Sequence, residues 1–455
     1  MLTVEEVKLL ILININLLFC NTFANMNILL LGSGGRENAF AWKMAQSEHC
    51  STLFIAPGNG GTERYGENVA LDPTDFDAVK SFALSHAIEL VVVGPEEPLV
   101  KGIHDYFLAD EALKHIAVIG PQKEGAQLEG SKDFSKAFMQ RNHIPTAAYA
   151  TFTKETLVEG LAYLETQNLP IVLKADGLAA GKGVLICESL ADAKTELTAM
   201  LADAKFGIAS QKVVIEEFLK GIELSVFVLT DGQSYKILPE AKDYKRISVG
   251  DTGLNTGGMG AISPVSFAGG DFLKKVKERV VIPTMEGLKK DGIPYKGFLF
   301  IGLMNVGGDP YVIEYNVRMG DPETESVIPR LECDLIDLFL GVAQGNLAEK
   351  TFSISPKTAV TVMLVAGGYP GDYKKGDAIT GLENIQNSHL FHAGTKTQNG
   401  RIETNGGRVL AVTALGNSLE EAVSTALADA AKVRFEGAYF RSDIGVDLLN
   451  FTNPQ

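Results

Sequence analysis

Cysteine and histidine are both scarce in this chain, and neither is spaced like a metal-binding or disulfide-forming set. The four cysteines stand far apart and form no CxxC pair: Cys20, Cys50, Cys187 and Cys333. This pattern argues against a disulfide framework and against a zinc site, and it is typical of the reduced thiols of a cytoplasmic protein. Of the seven histidines, only His389 and His392 lie close together, and a loop is predicted for them.

An excess of positive charge is also absent. The 41 lysines and arginines are outnumbered by 56 acidic residues, which gives a formal net charge of −15. This balance argues against a nucleic-acid-binding or anionic-membrane surface, although a local basic pocket for phosphates stays compatible with it.

Long apolar runs are missing as well. The run at residues 9–19 is interrupted by Asn14 and Asn16 and is too short to cross a bilayer. The residues before it lack the positive start of a secretory signal, so no membrane partner is predicted. Because Met26 directly precedes a strand-and-loop motif, we expect residues 1–25 to be an extension that is not native or is disordered.

Glycine, in contrast, is abundant. Many of the 47 glycines fall in clusters, which usually means that backbone approaches a ligand closely. The chain has 455 residues, of which 45% are hydrophobic and 21% charged. These values predict an ordinary globular protein of two to four domains.

A strand, a glycine-rich turn and a helix are predicted at residues 27–39. This order presents backbone N–H groups to an anion, although the spacing is not a strict GxGxxG. Short strands are predicted at 53–55, 90–93 and 116–119, separated by helix-length segments. The pattern predicts a Rossmann-like α/β domain with a candidate substrate loop at 94–99.

A loop of glycines and other small residues lies between Lys174 and Lys182, downstream of a helix predicted at 132–141. A strand precedes the loop, and a return strand is predicted at 184–187. Such a loop can close over phosphates, but it is not a Walker A loop because no GxxxxGK[ST] with a following helix is present. A hairpin with solvated lysines is the alternative.

The strand predicted at 312–318 is polar on one face, which carries Glu314, Asn316 and Arg318. Residues 313, 315 and 317 form its apolar face, because side chains alternate along a strand. Carboxylate and amide oxygens suit a hard cation such as Mg²⁺, and a guanidinium suits a phosphate. An antiparallel strand with one solvated face is the alternative, and residues 297–303 are its predicted antiparallel neighbour.

Two further regions complete the chain. Residues 251–261 form a loop of glycines and polar side chains that suits a small polar substrate. Beyond about residue 350 the pattern predicts a small α+β domain, with strands at 359–365 and 409–413. Ser418 begins a capping-box helix that is predicted to run to about residue 433.

Several motifs, in order and with matching spacing, resemble the phosphoribosylamine–glycine ligase family of the ATP-grasp superfamily. They stand at residues 32–37, 94–99, 174–184, 254–261 and 318–323. The resemblance runs from Met26 essentially to the end of the chain. It implies a multidomain α/β and α+β protein with three parts: a Rossmann-like N-terminal substrate domain at 26–128, two ATP-grasp subdomains at 129–350 with a mobile lid at about 146–218, and a C-terminal α+β domain at 351–455.

The resemblance also implies a reaction. Glycine would be joined to 5-phosphoribosylamine, giving glycinamide ribonucleotide, ADP and phosphate, in de novo purine (IMP) biosynthesis. A carboxylate is a poor acyl donor, so glycyl phosphate would form first. Such chemistry needs phosphate positioning and charge neutralisation more than a protein nucleophile. ATP and Mg²⁺, or Mn²⁺, are the implied cofactors.

The motif matches imply four groups of site residues. The metal ligands would be Glu314 and Asn316, and the catalytic residues Arg318, Lys182 and Asp321. Contacts to ATP are predicted along the central motifs, at Lys132, Lys174, Asp176, Gly177, Gly181, Gly183, Glu216, Phe218, Leu219 and Glu223. Contacts to the two substrates are predicted in the glycine-containing loops, at Gly32, Gly34, Gly35, Gly94, Pro95, Glu96, Asn255, Thr256, Gly257, Gly258, Met259 and Gly260.

Two positions depart from the family pattern. Asn38 stands where the family usually has histidine, which puts an acid–base role there in doubt, and Met319 replaces phenylalanine as an apolar filler. Two other interpretations stay open: another ATP-grasp carboxylate–amine ligase, or a protein that binds ATP without chemistry. A monomer without nucleic-acid or membrane partners is predicted.

Overall fold

The structure is a computed structural model that describes residues 25–178, 183–449 and 451. Its N-terminal part is a five-stranded parallel sheet in the order β3-β2-β1-β4-β5. The strands are β1 Met26–Gly32, β2 Cys50–Pro57, β3 Glu67–Asn68, β4 Ile88–Val93 and β5 Ala117–Ile119. The helices of this part are Gly35–Met44, Phe76–Ser85, Glu96–Lys101, Ile103–Ala109 and Lys123–Gly130. Strands β1 and β4 are buried almost throughout, as parallel strands covered on both faces are, and the predicted Rossmann-like domain is confirmed.

A smaller antiparallel sheet follows, in the order β6-β9-β7-β8. Its strands are β6 Tyr149–Thr153, β7 Ile171–Ala175, β8 Val184–Cys187 and β9 Lys212–Glu217. The helices Leu157–Leu164 and Leu190–Leu201 pack on it and enclose a hydrophobic core of its own. The predicted return strand at 184–187 is confirmed as β8. Gly181 and Lys182 lie outside the described residues.

A large antiparallel sheet of eight strands has the order β16-β15-β10-β11-β14-β19-β23-β20. The strands of the remaining chain are β10 Ile222–Thr230, β11 Tyr235–Asp243, β12 Arg246–Ser248, β13 Thr252–Asn255, β14 Gly260–Ser263, β15 Gly297–Val306, β16 Asp309–Asn316, β17 Leu331–Glu332, β18 Ser353–Ile354, β19 Thr358–Val365, β20 Ser388–His392, β21 Thr395–Gln398, β22 Arg401–Thr404 and β23 Arg408–Gly416. The pairing of β14 with β19 joins the central strands to the C-terminal strands in one sheet. His389 and His392 lie on β20, so the loop predicted for them is wrong.

The remaining helices are Lys132–Arg141, Gly270–Val276, Ile282–Lys290, Glu323–Val327, Leu335–Gln344, Leu419–Ala430 and Val446–Leu449. The helix predicted at 132–141 is confirmed, and the hydroxyl of Ser131 caps its start by accepting a hydrogen bond from the backbone N–H of Phe134. Ser418 caps the C-terminal helix in the same way, and that helix ends three residues before the predicted position. Across the described ranges, no helix is both long and apolar enough to span a bilayer.

The polar strand is the edge strand β16, paired antiparallel to β15 as predicted. Glu314 stands opposite Gly302 and Val312 opposite Leu303, so Ile313 is an extra residue, a β-bulge. The bulge turns Val312 into the core and leaves Ile313 only half-buried. The simple alternation predicted for the apolar face is therefore wrong at residue 313.

Candidate active site

The small and large sheets approach each other at the bulge of β16. Lys174, at the end of β7, donates a hydrogen bond from Nζ to the carbonyl oxygen of Ile313 at 3.3 Å. Lys132 begins the helix between the two sheets, and its Nζ lies 3.4 Å from the carbonyl oxygen of Gly177. A strand of the small sheet and the helix Lys132–Arg141 thus bring two lysines beside the polar end of β16, where phosphates were predicted to bind.

Glu314 is ionised in this setting. Burial works to raise the pKa of its carboxyl, but Lys245, Lys174 and Lys132 together outweigh burial and hold the pKa below its ordinary value. Its partner across the strands is Gly302, where an added Cβ would lie 3.2 Å from the Glu314 Cγ. Glycine at that position therefore leaves room for the carboxylate.

The pair Glu314 and Asn316 fits a hard divalent cation only in part. Both supply oxygen donors on neighbouring positions of one strand face. The part of the chain that the structure describes contains no group of three or more His, Cys, Asp or Glu side chains that could hold a metal ion. A cation held here would take its other ligands from phosphate oxygens and water, which is how Mg²⁺ is usually bound beside a nucleotide.

Glu216, on β9, is buried between two lysines. Its Oε2 lies 3.0 Å from Nζ of Lys136 and 3.0 Å from Nζ of Lys174. Its Oε1 is buried and has no hydrogen-bond donor within the described residues, so it is free to accept one from a ligand amine. The predicted contact to the adenine edge stays a prediction. Lys136 was missed, although it lies one helical turn after Lys132, on the same face.

The other predicted ATP-contacting residues surround this centre. Phe218 and Leu219 lie between β9 and β10, in the segment that joins the small sheet to the large one, and Phe218 is exposed. Glu223 stands at the start of β10 with its side chain exposed. These positions place all three residues beside the junction of the two sheets.

Asp176 has a local role in addition to any ligand contact. Its Oδ1 accepts hydrogen bonds from Ser131 Oγ at 2.9 Å and from the backbone N–H of Asp133 at 2.8 Å. It therefore holds the start of the helix that carries Lys132. Gly183 accepts a backbone hydrogen bond from Ala175, which closes the base of the loop between β7 and β8.

Arg318 lies beyond the end of β16 and is bound by two acids. Its guanidinium lies 2.8 Å from Oε1 of Glu129 and 3.3 Å from Oε2 of Glu96. The other oxygen of Glu129 accepts the backbone N–H of Val317 at 2.8 Å. Glu96 follows β4 of the N-terminal sheet, so Arg318 links the predicted substrate loop to the polar strand. No sequence motif had singled out Glu129.

The turn after β1 and the loop after β4 lie side by side, because these strands are neighbours. The carboxylate of Glu37 fills the space between them: a Cβ on Gly32, Gly34 or Gly94 would overlap its side chain. It also accepts the backbone N–H of Gly34 at 2.6 Å. Part of the turn predicted to face 5-phosphoribosylamine is therefore occupied by the protein's own carboxylate. Pro95 continues the loop as the residue before the helix Glu96–Lys101.

Asp321 connects three parts of the chain. Its Oδ2 accepts the backbone N–H of Arg36 at 3.2 Å, and its Oδ1 lies 3.0 Å from Nη2 of Arg408. Nη1 of Arg408 donates to the carbonyl oxygens of Asp321 and Gly257 at 2.6 and 2.7 Å. Arg408 is the first residue of the C-terminal strand β23, one residue before the strand predicted at 409–413.

The glycine loop at residues 255–260 is held from several sides. Thr256 donates its hydroxyl to the carbonyl oxygen of Lys245 at 2.7 Å and accepts the N–H of Gly258 at 2.9 Å. The hydroxyl of Tyr369 accepts the N–H of Gly257 at 3.0 Å. Asn255 is exposed at the end of β13, whereas Met259 and Gly260 are buried. Only part of this loop is therefore open to a small molecule.

Asn38 does not face the cleft. It is fully buried, and its Oδ1 accepts the backbone N–H of His392 on β20 at 2.8 Å. Asn59 strengthens the same contact, since its Nδ2 lies 2.7 Å from the carbonyl oxygen of His392 and 2.9 Å from that of Ser33. Asn38 thus joins the N-terminal helix to the C-terminal strands, and an acid–base role at this position has no support in the geometry.

The chain matches three family profiles in sequence. They are described as phosphoribosylglycinamide synthetase N domain, over residues 26–129, its ATP-grasp (A) domain, over 130–324, and its C domain, over 359–447. A phosphoribosylamine–glycine ligase of Pasteurella multocida is 47% identical over 424 residues, which cover 92% of this chain and 97% of that protein. One of Salmonella typhi is 46% identical over 426 residues, covering 92% and 98%.

Solved structures agree. The crystal structure of a phosphoribosylamine–glycine ligase from Thermotoga maritima superposes with a TM-score of 0.79 at 37% identity, covering 92% of this chain and 99% of that one. The biotin carboxylase domain of a Hydrogenobacter thermophilus 2-oxoglutarate carboxylase, solved with MgADP, ADP and bicarbonate, gives a TM-score of 0.69 at 15% identity and covers 94% and 99%. The second likeness concerns the fold alone.

Proposed function

The chain belongs to the phosphoribosylglycinamide synthetase family, and from that premise we propose that it catalyses the ligation for which its relatives are named. It is an ATP-dependent carbon–nitrogen ligase that forms glycinamide ribonucleotide from glycine and 5-phosphoribosylamine in purine biosynthesis. The observation that carries the proposal is the meeting of Lys174, from the small sheet, with the Glu314 strand of the large sheet.

In the first step, a carboxylate oxygen of glycine attacks the terminal phosphorus of ATP. The bond to ADP breaks, and glycyl phosphate forms. Lys132 and Lys174 hold the phosphates, while Arg318 neutralises charge on the transferred group. Lys182, which lies outside the described residues, is assigned to the same phosphates on its motif alone, and the adenine is assigned to Glu216 and the segment of Phe218 and Leu219, with Glu223 at the ribose.

Glu314 and Asn316 would hold a divalent cation, Mg²⁺ or Mn²⁺. When bound, such a cation supplies further charge neutralisation at the phosphates. The ionised state of Glu314 supports this assignment, because only the carboxylate form is a cation ligand.

In the second step, the amine of 5-phosphoribosylamine attacks the carbonyl carbon of glycyl phosphate. The bond to phosphate breaks, the released phosphate accepts the proton that the nitrogen loses, and an amide forms. The loops around Gly94 and Gly257 line the substrate side. Asp321, held between the backbone of Arg36 and the guanidinium of Arg408, orients the amine.

Release of ADP tests the proposal. We expect wild-type protein to release ADP only when glycine and 5-phosphoribosylamine are both present. Glu314→Ala should reduce turnover by about 10²-fold or more, because it removes a ligand of the cation that would neutralise charge on the transferring group, and its thermal unfolding should stay close to that of wild type. Glu278→Ala, at an exposed acid, is the matched control.

Each rival interpretation has its own outcome in the same assay. ADP release with a different carboxylate or amine would indicate another ATP-grasp ligase. Binding of ATP without any turnover would indicate a protein that senses the nucleotide. Normal turnover of Glu314→Ala would contradict the proposed metal site but not the proposed reaction.

The proposed location is the cytoplasm. Cys50, Cys187 and Cys333 are free thiols, as a reducing compartment favours. We also propose that the protein is a monomer without nucleic-acid or membrane partners. Light scattering during size-exclusion chromatography would measure its molar mass and so test the monomer.

A further inference from the structure

Glu325 is a fully buried carboxyl that none of the roles above uses. It stands in the short helix Glu323–Val327, directly beneath the glycine turn that follows β1. Its exposed fraction is 0%, and neither of its oxygens has a hydrogen-bond donor among the residues that the structure describes. A Cβ added to Gly35 would overlap its Oε1, so the carboxyl lies in direct contact with the turn.

The neighbour of Glu325 is another carboxyl, that of Asp321. Oδ1 of Asp321 is also buried and, within the described part of the chain, lacks a donor in hydrogen-bond geometry, although the Arg408 guanidinium lies 3.0 Å away. A side-chain hydrogen bond from Glu325 is among the interactions that lower the pKa of Asp321. Both carboxyls reach the same turn, since a Cβ on Gly34 would overlap Oδ2 of Asp321 and one on Gly35 would overlap Oε1 of Glu325. A hydrogen bond between two carboxyls forms only when one of them carries a proton.

The surrounding charges decide which carboxyl keeps the proton. Burial, followed by the negative charge of Asp321, raises the pKa of Glu325 well above its ordinary value, while Arg408 opposes this and Glu323 adds to it. Burial also acts on Asp321, but Arg408 and Arg36 outweigh it and lower that pKa. The proton therefore belongs to Glu325, and Asp321 is the carboxylate.

We propose that Glu325 is a neutral carboxylic acid that donates its proton in a hydrogen bond to Asp321, and that it acts as a positioning residue for the substrate side of the cleft. The bond holds the Asp321 carboxylate in the orientation in which Arg408 and the backbone of Arg36 contact it. Arg408 in turn holds Gly257. Loss of the donor would leave the carboxylate free to turn away from the glycine loop.

Infrared difference spectroscopy tests the protonation state directly. We expect the spectrum of wild type minus Glu325→Gln at neutral pH to contain the carbonyl stretch of one protonated carboxylic acid, shifted in D₂O. Glu332→Gln, at an exposed acid, is the control and should give no such band. Absence of the band in the Glu325 difference spectrum would overturn the proposal, whatever the protein's activity.

Kinetics test the positioning role, and this part rests on the proposed function. Glu325→Gln keeps a hydrogen-bond donor and should keep turnover within about twofold, whereas Glu325→Met, of similar shape without a donor, should lose about tenfold in kcat/KM for the amine substrate with little change in KM for ATP. Equal losses in both variants, or an equal change for ATP, would contradict a positioning role. If wild type does not turn over at all, the infrared result still stands.

Stability against pH gives a third readout. The folded state keeps the Glu325 proton above pH 4.5, the ordinary pKa at which the unfolded chain releases it. The contribution of this residue is therefore complete below pH 4.5 and falls as pH rises. Glu325→Gln, which has no proton to release, should unfold at a higher temperature than wild type at neutral pH, and the difference should shrink at acidic pH. A difference that does not depend on pH would contradict the buried proton.

Discussion

The proposed ATP side and the proposed substrate side of the candidate active site are built in different ways. On the ATP side, Lys174, Glu216 and Glu314 stand on β-strands of two sheets, and the lysines around Glu314 hold the pKa of its carboxyl below the ordinary value. On the substrate side, Asp321 and Gly257 lie in loops that reach each other through Arg408 of the C-terminal strands. The first side depends mainly on charge, whereas the second depends on hydrogen bonds between distant segments.

Removal of Lys174 should have the largest effect of the changes compared here. Lys174→Ala deletes the proposed phosphate contact and leaves Glu216 paired with Lys136 alone. We expect kcat for ADP release to fall by about 10²- to 10³-fold, with smaller changes in KM for glycine. Lys194→Ala, which breaks a surface pair with Glu165, is the control. Similar kinetics in the two variants would show that the phosphates bind elsewhere.

Arg408→Ala should impair the substrate side, and its effect on turnover should be smaller than that of Lys174→Ala. It removes two hydrogen bonds to backbone carbonyls and the ion pair with Asp321. We expect KM for glycine or for 5-phosphoribosylamine to rise about tenfold, while KM for ATP stays near the wild-type value. Arg401→Ala, at an exposed position of β22, is the control. An equal rise in KM for ATP would show that Arg408 affects ATP binding as well as substrate binding.

The contact between His392 on β20 and the turn after β1 should weaken in acid. Burial lowers the pKa of His392 to about 3, against an ordinary value of 6.5. The unfolded chain therefore takes up a proton below pH 6.5 that the folded protein does not, and stability falls as the pH drops. At pH 5 this amounts to about 2 kcal/mol of unfolding free energy. Urea unfolding of wild type and His392→Gln at pH 7.5 and 5 measures it.

His86→Gln, at an exposed histidine, is the control for the acid prediction. Asn59 donates hydrogen bonds to the carbonyl oxygens of both His392 and Ser33. Acid should therefore destabilise the glycine turn after β1 before it affects the region around Lys174. If His392→Gln keeps the full acid sensitivity of wild type, another group is responsible.

The helices and strands around the proposed ATP side could largely be predicted, because they follow local sequence patterns. The helix at 132–141, the return strand β8 and the antiparallel neighbour of the polar strand were predicted close to their observed bounds. Lys136 could have been found from its spacing to Lys132. The bulge at Ile313 could not, since it depends on how β16 pairs with β15 rather than on the residues of β16 alone.

Little of the network on the substrate side has a local signal. Glu129 and Arg408 pair with residues that are far away along the chain, at Arg318 and Asp321, and each looks like an ordinary charged residue in the sequence. The glycines at 32, 34 and 94 were interpreted as places for a ligand, but a buried carboxylate from Glu37 packs against all three. A glycine indicates close approach without saying what approaches.

The sequence by itself determined the order of strands and helices, the glycine-rich turns, the polar face that carries Glu314 and Asn316, and the family. Each of these depends on neighbours along the chain, through side-chain alternation, helix capping and motif spacing. Only the tertiary structure decided the state of the charges. Whether Glu314 is ionised, whether Glu325 holds a proton and what Arg318 pairs with all depend on burial and on groups from distant segments, because the energy of a charge is set by everything within a few ångströms of it.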